Sequence, residues 1–263
     1  MPCKCISCES IKIHKYFSQG EEEFFKCNQC HLVWRHPIPN EVELDLIYSK
    51  AYAQENVENG ITNQESGSYA ASKYANYLSK RDLLDKSYIL DYGAATGEMV
   101  SCLRDLNFSV DGYEYSENAC EYSKLNRNIN LFRTELEIPK LKYSLITMIE
   151  VIEHLRNPGN TLSELKNYLV NGGCLFITTP NRRGWRAIIE SVNWREAKKK
   201  FHLYLFSEES LKELLLRNGF HNVRRIRFSP ITRPGIKFWL WGRLMQILGL
   251  GGTLCVIASK VDK

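Results

Sequence analysis

The sequence predicts an α/β protein built on a doubly wound, mostly parallel sheet, preceded by a small four-cysteine module and a helical linker. Three observations carry that expectation. From residue 86 onward short apolar runs alternate with segments of helical spacing, the pattern of a parallel sheet with right-handed crossovers. The first run, Ile89-Leu90-Asp91-Tyr92, breaks into the small-residue turn Gly93-Ala94-Ala95-Thr96-Gly97 before Glu98-Met99-Val100 resumes with helical spacing. Ahead of both, Cys5-x2-Cys8 and Cys27-x2-Cys30 are separated by 18 residues.

Residues 1–36 read as a separate unit, with strand-like pieces at Lys12–Phe17 and Glu23–Lys26 joined by Ser18-Gln19-Gly20. Each Cys-x2-Cys pair offers two thiolates to one tetrahedral ion, and the spacing matches a four-cysteine zinc ribbon. A module of ~35 residues cannot fold around its own core, so structural Zn2+ on Cys5, Cys8, Cys27 and Cys30 would supply the stability. Cys3 is surplus, and His31 and His36 read as surface residues. Residues 37–85 form a linker and helical cover. Pro37-Ile38-Pro39 is stiff, and Asn40 caps a helix over Glu41–Tyr48, whose early acids suit the helix dipole. Residues 50–68, polar and Gly/Asn-rich, read as a loop, and Tyr69–Leu84 as an amphipathic helix over the pocket of the main domain, 86–263.

Strands are expected near 87–92, 109–114, 130–134, 143–150 and 173–178, with helices at about 97–107, 117–127 and 159–170. Ser207 caps a helix that ends at Arg217 before Asn218-Gly219, and Val223–Phe228 and Thr253–Ser259 read as the final strands. Between them, Ile236–Leu250 is crowded with aromatic and aliphatic residues. It reads as a helix packed on the sheet, with an interfacial helix as the alternative.

A chain of 263 residues, 44% hydrophobic, can bury a full core. It has no window of 18 apolar residues, and Met1-Pro2-Cys3 opens no apolar signal segment. Nine cysteines without an export signal point to reduced thiols, metal and the cytoplasm, with Cys102, Cys120, Cys174 and Cys255 in the core. Charge is uneven. Residues 182–263 hold 17 Lys/Arg against 6 Asp/Glu, a net +11, whereas the remainder holds 18 against 24, a net −6. That basic half could attract phosphates, nucleic acid or an acidic membrane, but Lys198-Lys199-Lys200 and Arg224-Arg225-Ile226-Arg227 read more simply as solvated faces.

Aligned on Gly93, a dinucleotide G-x-G-x-x-G would place Ala95 and Glu98 where glycines belong, and a carboxylate facing a pyrophosphate disfavours NAD. What remains is D-x-G-x-x-x-G at Asp91–Gly97, with Glu114 closing the next strand 21 residues after Gly93. It resembles the class I S-adenosylmethionine (SAM) methyltransferases, and so do Met148–Leu155, Asn171–Asn181 and Phe206–Leu211. With its ribbon, the chain is similar to bacterial SAM-dependent enzymes, many of them from surface-saccharide or natural-product biosynthesis. The resemblance implies a Rossmann-like sheet of seven strands, the last antiparallel. It also assigns roles: Gly93, Ala95 and Gly97 to the methionine moiety, Asp91 to the loop or amino group, and Glu114 to the ribose hydroxyls. Tyr115 and Glu135 would meet the adenine, and Met148 and Ile149 would line the pocket near the sulfur.

Glu150-x-x-Glu153-His154 places three polar groups on one face of a helical turn. It resembles the metal-ligand motif of small-RNA 3′-terminal 2′-O-methyltransferases and of ubiquinone-type O-methyltransferases, which add a later histidine, here His202. The sequence leaves three readings open: a Mg2+, Mn2+ or Zn2+ site on Glu150, Glu153, His154 and His202; a metal-free general base at His154 oriented by Glu153; or a merely structural turn. Asn181, Trp185 and Arg186 are the candidate acceptor contacts, the last two within a lid over 182–200 that also carries Trp194 and Arg195. Methyl transfer to an oxygen of a small polar acceptor (sugar, carboxylate or hydroxylated metabolite) is expected. Methylation of a sugar carbon or of an RNA 2′-oxygen are the alternatives, and the ribbon could dock a partner protein or peptide.

Overall fold

A computed structural model of the chain describes residues 2–44, 46–47, 60–80, 88–228, 230 and 236–260. Its strands and helices run β1 (Ile13–Gln19), β2 (Glu22–Cys27), β3 (Val33–His36), α1 (Gly60–Ser79), β4 (Tyr88–Tyr92), α2 (Glu98–Asp105), β5 (Ser109–Tyr113), α3 (Glu117–Arg127) and β6 (Tyr143–Ile149). They continue α4 (Pro158–Tyr168), β7 (Leu169–Pro180), α5 (Trp185–Glu190), α6 (Arg195–Lys198), β8 (Tyr204–Leu205), α7 (Glu208–Arg217), β9 (Phe220–Ile226), α8 (Ile236–Ile247) and β10 (Thr253–Lys260).

The main sheet has the order β5-β4-β6-β7-β10-β9. β5, β4, β6 and β7 pair in parallel, and β10 runs antiparallel to both of its neighbours. Strand alternation divides the core into two layers. Ile89, Leu145 and Phe176 meet Tyr74 and Leu78 of α1 and Val100 and Leu103 of α2. Their neighbours Leu90, Ile146 and Ile177 face Leu162 and Leu165 of α4 and Leu211 and Leu214 of α7. This fold places the carboxyl ends of β4, β5 and β6 side by side, where open α/β sheets bind ligands.

The expected seventh strand over 130–134 is the first correction. Only Phe132 bridges to Tyr113, through Phe132 N–H to Gly112 O at 2.8 Å and Glu114 N–H to Phe132 O at 3.0 Å, so the sheet has six strands. Helix α1 begins at Gly60, within the expected loop, and 50–59 and 81–87 lie outside the described residues. Its described buried residues, Ala71, Tyr74, Ala75 and Leu78, pack on the sheet face. Asn40 caps as expected, its Oδ1 accepting Glu43 N–H at 2.9 Å while Glu43 accepts Asn40 N–H at 2.7 Å.

The ribbon strands β1, β2 and β3 form an antiparallel sheet that β8 extends, with Val33 opposite Leu205 and Trp34 opposite Tyr204. Phe25, Leu32 and Trp34 share one apolar cluster with Leu203, Tyr204 and Phe206. Trp194 and Ala197 pack against Phe24 and Val33. The arginine cluster at the end of β9 is solvated in part, with Arg224 and Arg227 exposed and Arg225 half-buried. Arg225 pairs with Glu208 at 2.8 Å and donates to Gly249 O at 2.8 Å, and Arg227 donates to Ile247 O, cations satisfying carbonyls at the end of α8.

Candidate active site

The turn after β4 is shaped by left-handed backbone. Gly93 (φ 79°) and Gly97 (φ 82°) adopt it readily, and a Cβ on Gly93 would come within 2.6 Å of Val151 Cγ2. Ala95 shares the left-handed region at φ 46°. Glu114 is 6% exposed and binds the turn directly, accepting Ala95 N–H at 3.0 Å and Ser116 N–H at 2.9 Å. Burial raises its pKa, while those N–H bonds act the other way. Glu98 accepts from Thr96 Oγ1 of the turn at 2.6 Å, and its charge is paired with Arg127 at 2.8 Å. Charge repulsion by Glu98 is therefore not what excludes a pyrophosphate.

Beside the turn lies a cavity of about 500 Å3. Gly93, Ala95, Glu114, Tyr115, Ile149, Glu150, His154 and His202 line it, so eight of the residues singled out in the sequence converge there. Asp91, Gly97, Glu135, Met148 and Glu153 are not on its wall. Asp91 is 3% exposed and accepts from Thr147 Oγ1 at 2.6 Å; burial pushes its pKa up to about 7. Met148 is fully buried in the core, and Glu135 accepts the hydroxyl of Tyr92. Sequence reasoning missed Glu41, Leu44, Tyr92, Arg156, Lys199 and Phe201, which also line the cavity. Lys199 had been read as part of a solvated lysine run, but it sits 2.8 Å from Glu196 Oε2 at the cavity.

The Glu153, His154 and His202 ligand atoms lie within 4.8 Å of one another. Glu153 is fully buried; Oε2 accepts from Thr179 Oγ1 at 2.9 Å, whereas Oε1 has no hydrogen-bond partner. Burial, reinforced by Glu150, raises its pKa well above the carboxylate range. His154 Nδ1 is 3.0 Å from Phe201 O, and because a carbonyl only accepts, Nδ1 carries the proton and Nε2 a lone pair. Burial holds His154 down at about 4, so the ring is neutral near pH 7. His202, 2% exposed, presents a buried Nδ1 without a hydrogen-bond partner. Glu150 does not join this cluster: it accepts from Thr178 Oγ1 at 3.1 Å and lines the cavity.

The three acceptor candidates separate. Asn181 is 1% exposed, donates to Gly251 O at 2.8 Å and accepts Arg183 N–H at 3.0 Å, so its amide is committed to the backbone. Trp185 stacks edge-on to Trp241 at 6.1 Å. Arg186 and Asn181 line a second cavity of about 230 Å3, which shares Glu150 and Lys199 with the first. In the ribbon, Cys5 and Cys30 sulfurs are 3.5 Å apart, as are those of Cys8 and Cys27, and all four gather within 4.8 Å. That is too long for a disulfide and close to the ~3.8 Å edge of a tetrahedron with Zn–S of ~2.3 Å. The residue after each second cysteine, Glu9 and His31, turns left-handed to close its knuckle.

A family model described as a methyltransferase domain matches residues 64–225, and the chain belongs to that family. Among curated proteins it resembles the ubiquinone biosynthesis O-methyltransferase of Saccharophagus degradans, 26% identical over 117 residues, 41% of this chain and 50% of that one. The protein of the same name from Coxiella burnetii is 26% identical over 183 residues, 66% of this chain and 71% of that one. The chain thus spans about half the length of the first relative. Among solved structures, the 1,6-didemethyltoxoflavin-N1-methyltransferase of Burkholderia thailandensis, bound to S-adenosylhomocysteine, has a TM-score of 0.58 at 13% identity, covering 95% of this chain and 100% of that one. At that identity the likeness is one of fold.

Proposed function

We propose that the protein transfers the methyl group of SAM to an oxygen of a small polar acceptor, with Glu153, His154 and His202 holding a divalent ion, Mg2+ or Mn2+, on the acceptor side. The observation that carries this reading is the convergence of three ligand groups within 4.8 Å while a buried oxygen among them, Glu153 Oε1, lacks a hydrogen-bond partner. An unpaired buried carboxylate oxygen costs about 1–3 kcal/mol, and a cation at the cluster would relieve it. The backbone bond from His154 Nδ1 turns Nε2 toward Glu153 Oε1, 3.8 Å away, and a backbone partner on the other ring nitrogen is the usual second-shell arrangement of a metal-bound histidine. When bound, such an ion lowers the pKa of an acceptor hydroxyl. A metal-free base at His154 is the weaker reading, since burial has made the ring a poor proton acceptor.

The donor side follows from the turn and Glu114. Glu114 would hold the ribose hydroxyls, Gly93–Gly97 the methionine end, Tyr115 the adenine face, and Ile149 the surroundings of the sulfur. SAM supplies a methyl group already activated on a sulfonium. The chain contributes position, worth ~7–11 kcal/mol in a well-aligned pair, and Leu44 and Phe201 on the cavity wall keep water out. The O-methyltransferase names of the relatives support oxygen as the acceptor atom.

The ribbon, with Zn2+ on Cys5, Cys8, Cys27 and Cys30, would act as a clamp on the acceptor-side segment. Arg35 N–H bonds Leu203 O at 3.0 Å, Arg35 Nη2 bonds Lys199 O at 3.2 Å, and Ser207 Oγ bonds Cys30 O at 2.8 Å. Lys199, Phe201 and His202 lie between those anchors. The test is transfer of labelled methyl from SAM into fractionated sugars, carboxylates and hydroxylated metabolites, with and without a mild chelator. Chelation should stop transfer and Mg2+ or Mn2+ restore it. Full activity in chelator, with the ribbon zinc retained, would return His154 to the role of base.

A further inference from the structure

Helix α8 carries its apolar stripe on the outside. Ile236, Leu240, Leu244 and Ile247 recur at spacings of four, four and three, and so share one face. They are 69, 56, 46 and 58% exposed. The opposite face turns Met245 and Gln246 inward, each 6% exposed. A surface helix of a globular protein has the reverse arrangement. The exposed patch continues onto α5, where Trp185 touches Trp241 edge-on and Ile188 and Ile189 are 57 and 73% exposed. Nothing among the described residues covers it.

Cations outnumber acids around this patch, although Glu190 lies on α5 and Glu208 pairs with Arg225. Residues 214–261 hold eight Lys/Arg and no Asp or Glu. Ile188 also lines a cleft of about 340 Å3 whose walls include Tyr16, Lys26, Arg182 and Arg183, with no carboxylate among its lining residues. Arg183 reaches out to Glu209, while the Lys26 and Arg182 cations lie 5.1 and 5.2 Å from the Tyr16 ring centre. An apolar stripe bordered by cations fits a bilayer with anionic headgroups: the aliphatic residues enter the acyl boundary and the cations meet phosphate. A second copy of the chain fits less well, because a twofold contact would set this cationic face against itself.

We propose that the protein docks on anionic lipid surfaces through α8 and the outer face of α5, lying in the interface. It does not span: α8 has 12 residues, and no described helix is long and apolar enough to cross a membrane. The inference is independent of the metal and of the acceptor. Docking would set α5 against the bilayer, while Arg186, Ala187 and Glu190 of the same helix line the cavity beside Glu150.

Flotation of the full-length protein with equimolar phosphatidylglycerol–phosphatidylcholine vesicles tests it, with phosphatidylcholine vesicles as reference. Binding to the mixed vesicles alone, weakened by salt, is expected. The double variant Leu240→Glu, Leu244→Glu should lower that partitioning by roughly tenfold or more while keeping wild-type SAM affinity, which reports an intact fold. No binding to mixed vesicles, or equal binding by the double variant, overturns the proposal. So does a lipid-free dimer in sedimentation that the same variant dissociates, which would assign the face to a second copy.

Discussion

Glu114 and Asp91 sit on adjacent strands at the carboxyl edge, yet their environments differ in kind. Glu114 is held by two backbone N–H groups, so its charge is compensated and ready for a second donor. Glu114→Gln turns an amide toward those N–H groups and should weaken SAM binding by ~1.5–3 kcal/mol, read by calorimetry; unchanged affinity would remove the ribose assignment. Asp91 has one hydroxyl partner and a pKa raised from 3.8 to about 7 by burial. The unfolded chain ionises this group first, so the ionised form costs stability, little below the unfolded value and fully above about 7. Asp91→Asn should therefore raise the melting temperature of the SAM-free protein at about pH 8 and leave it nearly unchanged at about pH 4, on a scale of roughly 1.4 kcal/mol per pKa unit. An equal shift at both pH values would contradict the assignment. These two acids and the glycines around them were legible in the sequence because a strand end followed by a tight turn is a local pattern. Lys199 and Phe201 were not, because they reach the cavity only through the tertiary path of 199–207, and a lysine run looks the same whether it faces water or a glutamate.

At the scale of elements, the strand that closes the ribbon sheet comes from the far end of the chain. β8 has two residues and no sequence signature of its own; it exists because Trp34 and Val33 offer it an edge. Cysteine spacing revealed the four-cysteine cluster, but not the 204–205 partner strand. Cys27→Ser should lose about one equivalent of zinc in elemental analysis and, through β3 and β8, speed amide exchange over 199–207 as well as over the ribbon. Protection of 199–207 that survives zinc loss would show the clamp to be unnecessary. The missing seventh strand has a similar physical reason. Residues 130–134 carry strand-like composition, but Phe132 alone reaches β5 before Thr134 starts a 3-10 turn over Glu135–Glu137. Composition announced the segment and pairing shortened it.

Across the whole molecule, the six-stranded sheet and a segment anchored to the ribbon meet at one cavity. The six-stranded sheet brings the turn, Glu114 and Ile149; the ribbon-anchored segment brings Lys199, Phe201 and His202; the turn after β6 brings His154. The alternation of strands and helices foretold the first contribution, and the later histidine was suspected for the second. How the ribbon would hold that histidine depended on hydrogen bonds between residues more than 150 positions apart, such as Arg35 to Lys199 and Cys30 to Ser207. The central claim is that this junction builds a divalent-cation site on the acceptor side of a SAM cavity. Its most direct test is anomalous scattering from crystals of the zinc-loaded protein soaked with Mn2+ and S-adenosylhomocysteine. The account predicts a manganese peak among Glu153, His154 and His202, absent from the Glu153→Gln, His154→Ala variant, with Glu114 against the ribose. A filled nucleoside site with no manganese among those three residues would contradict it.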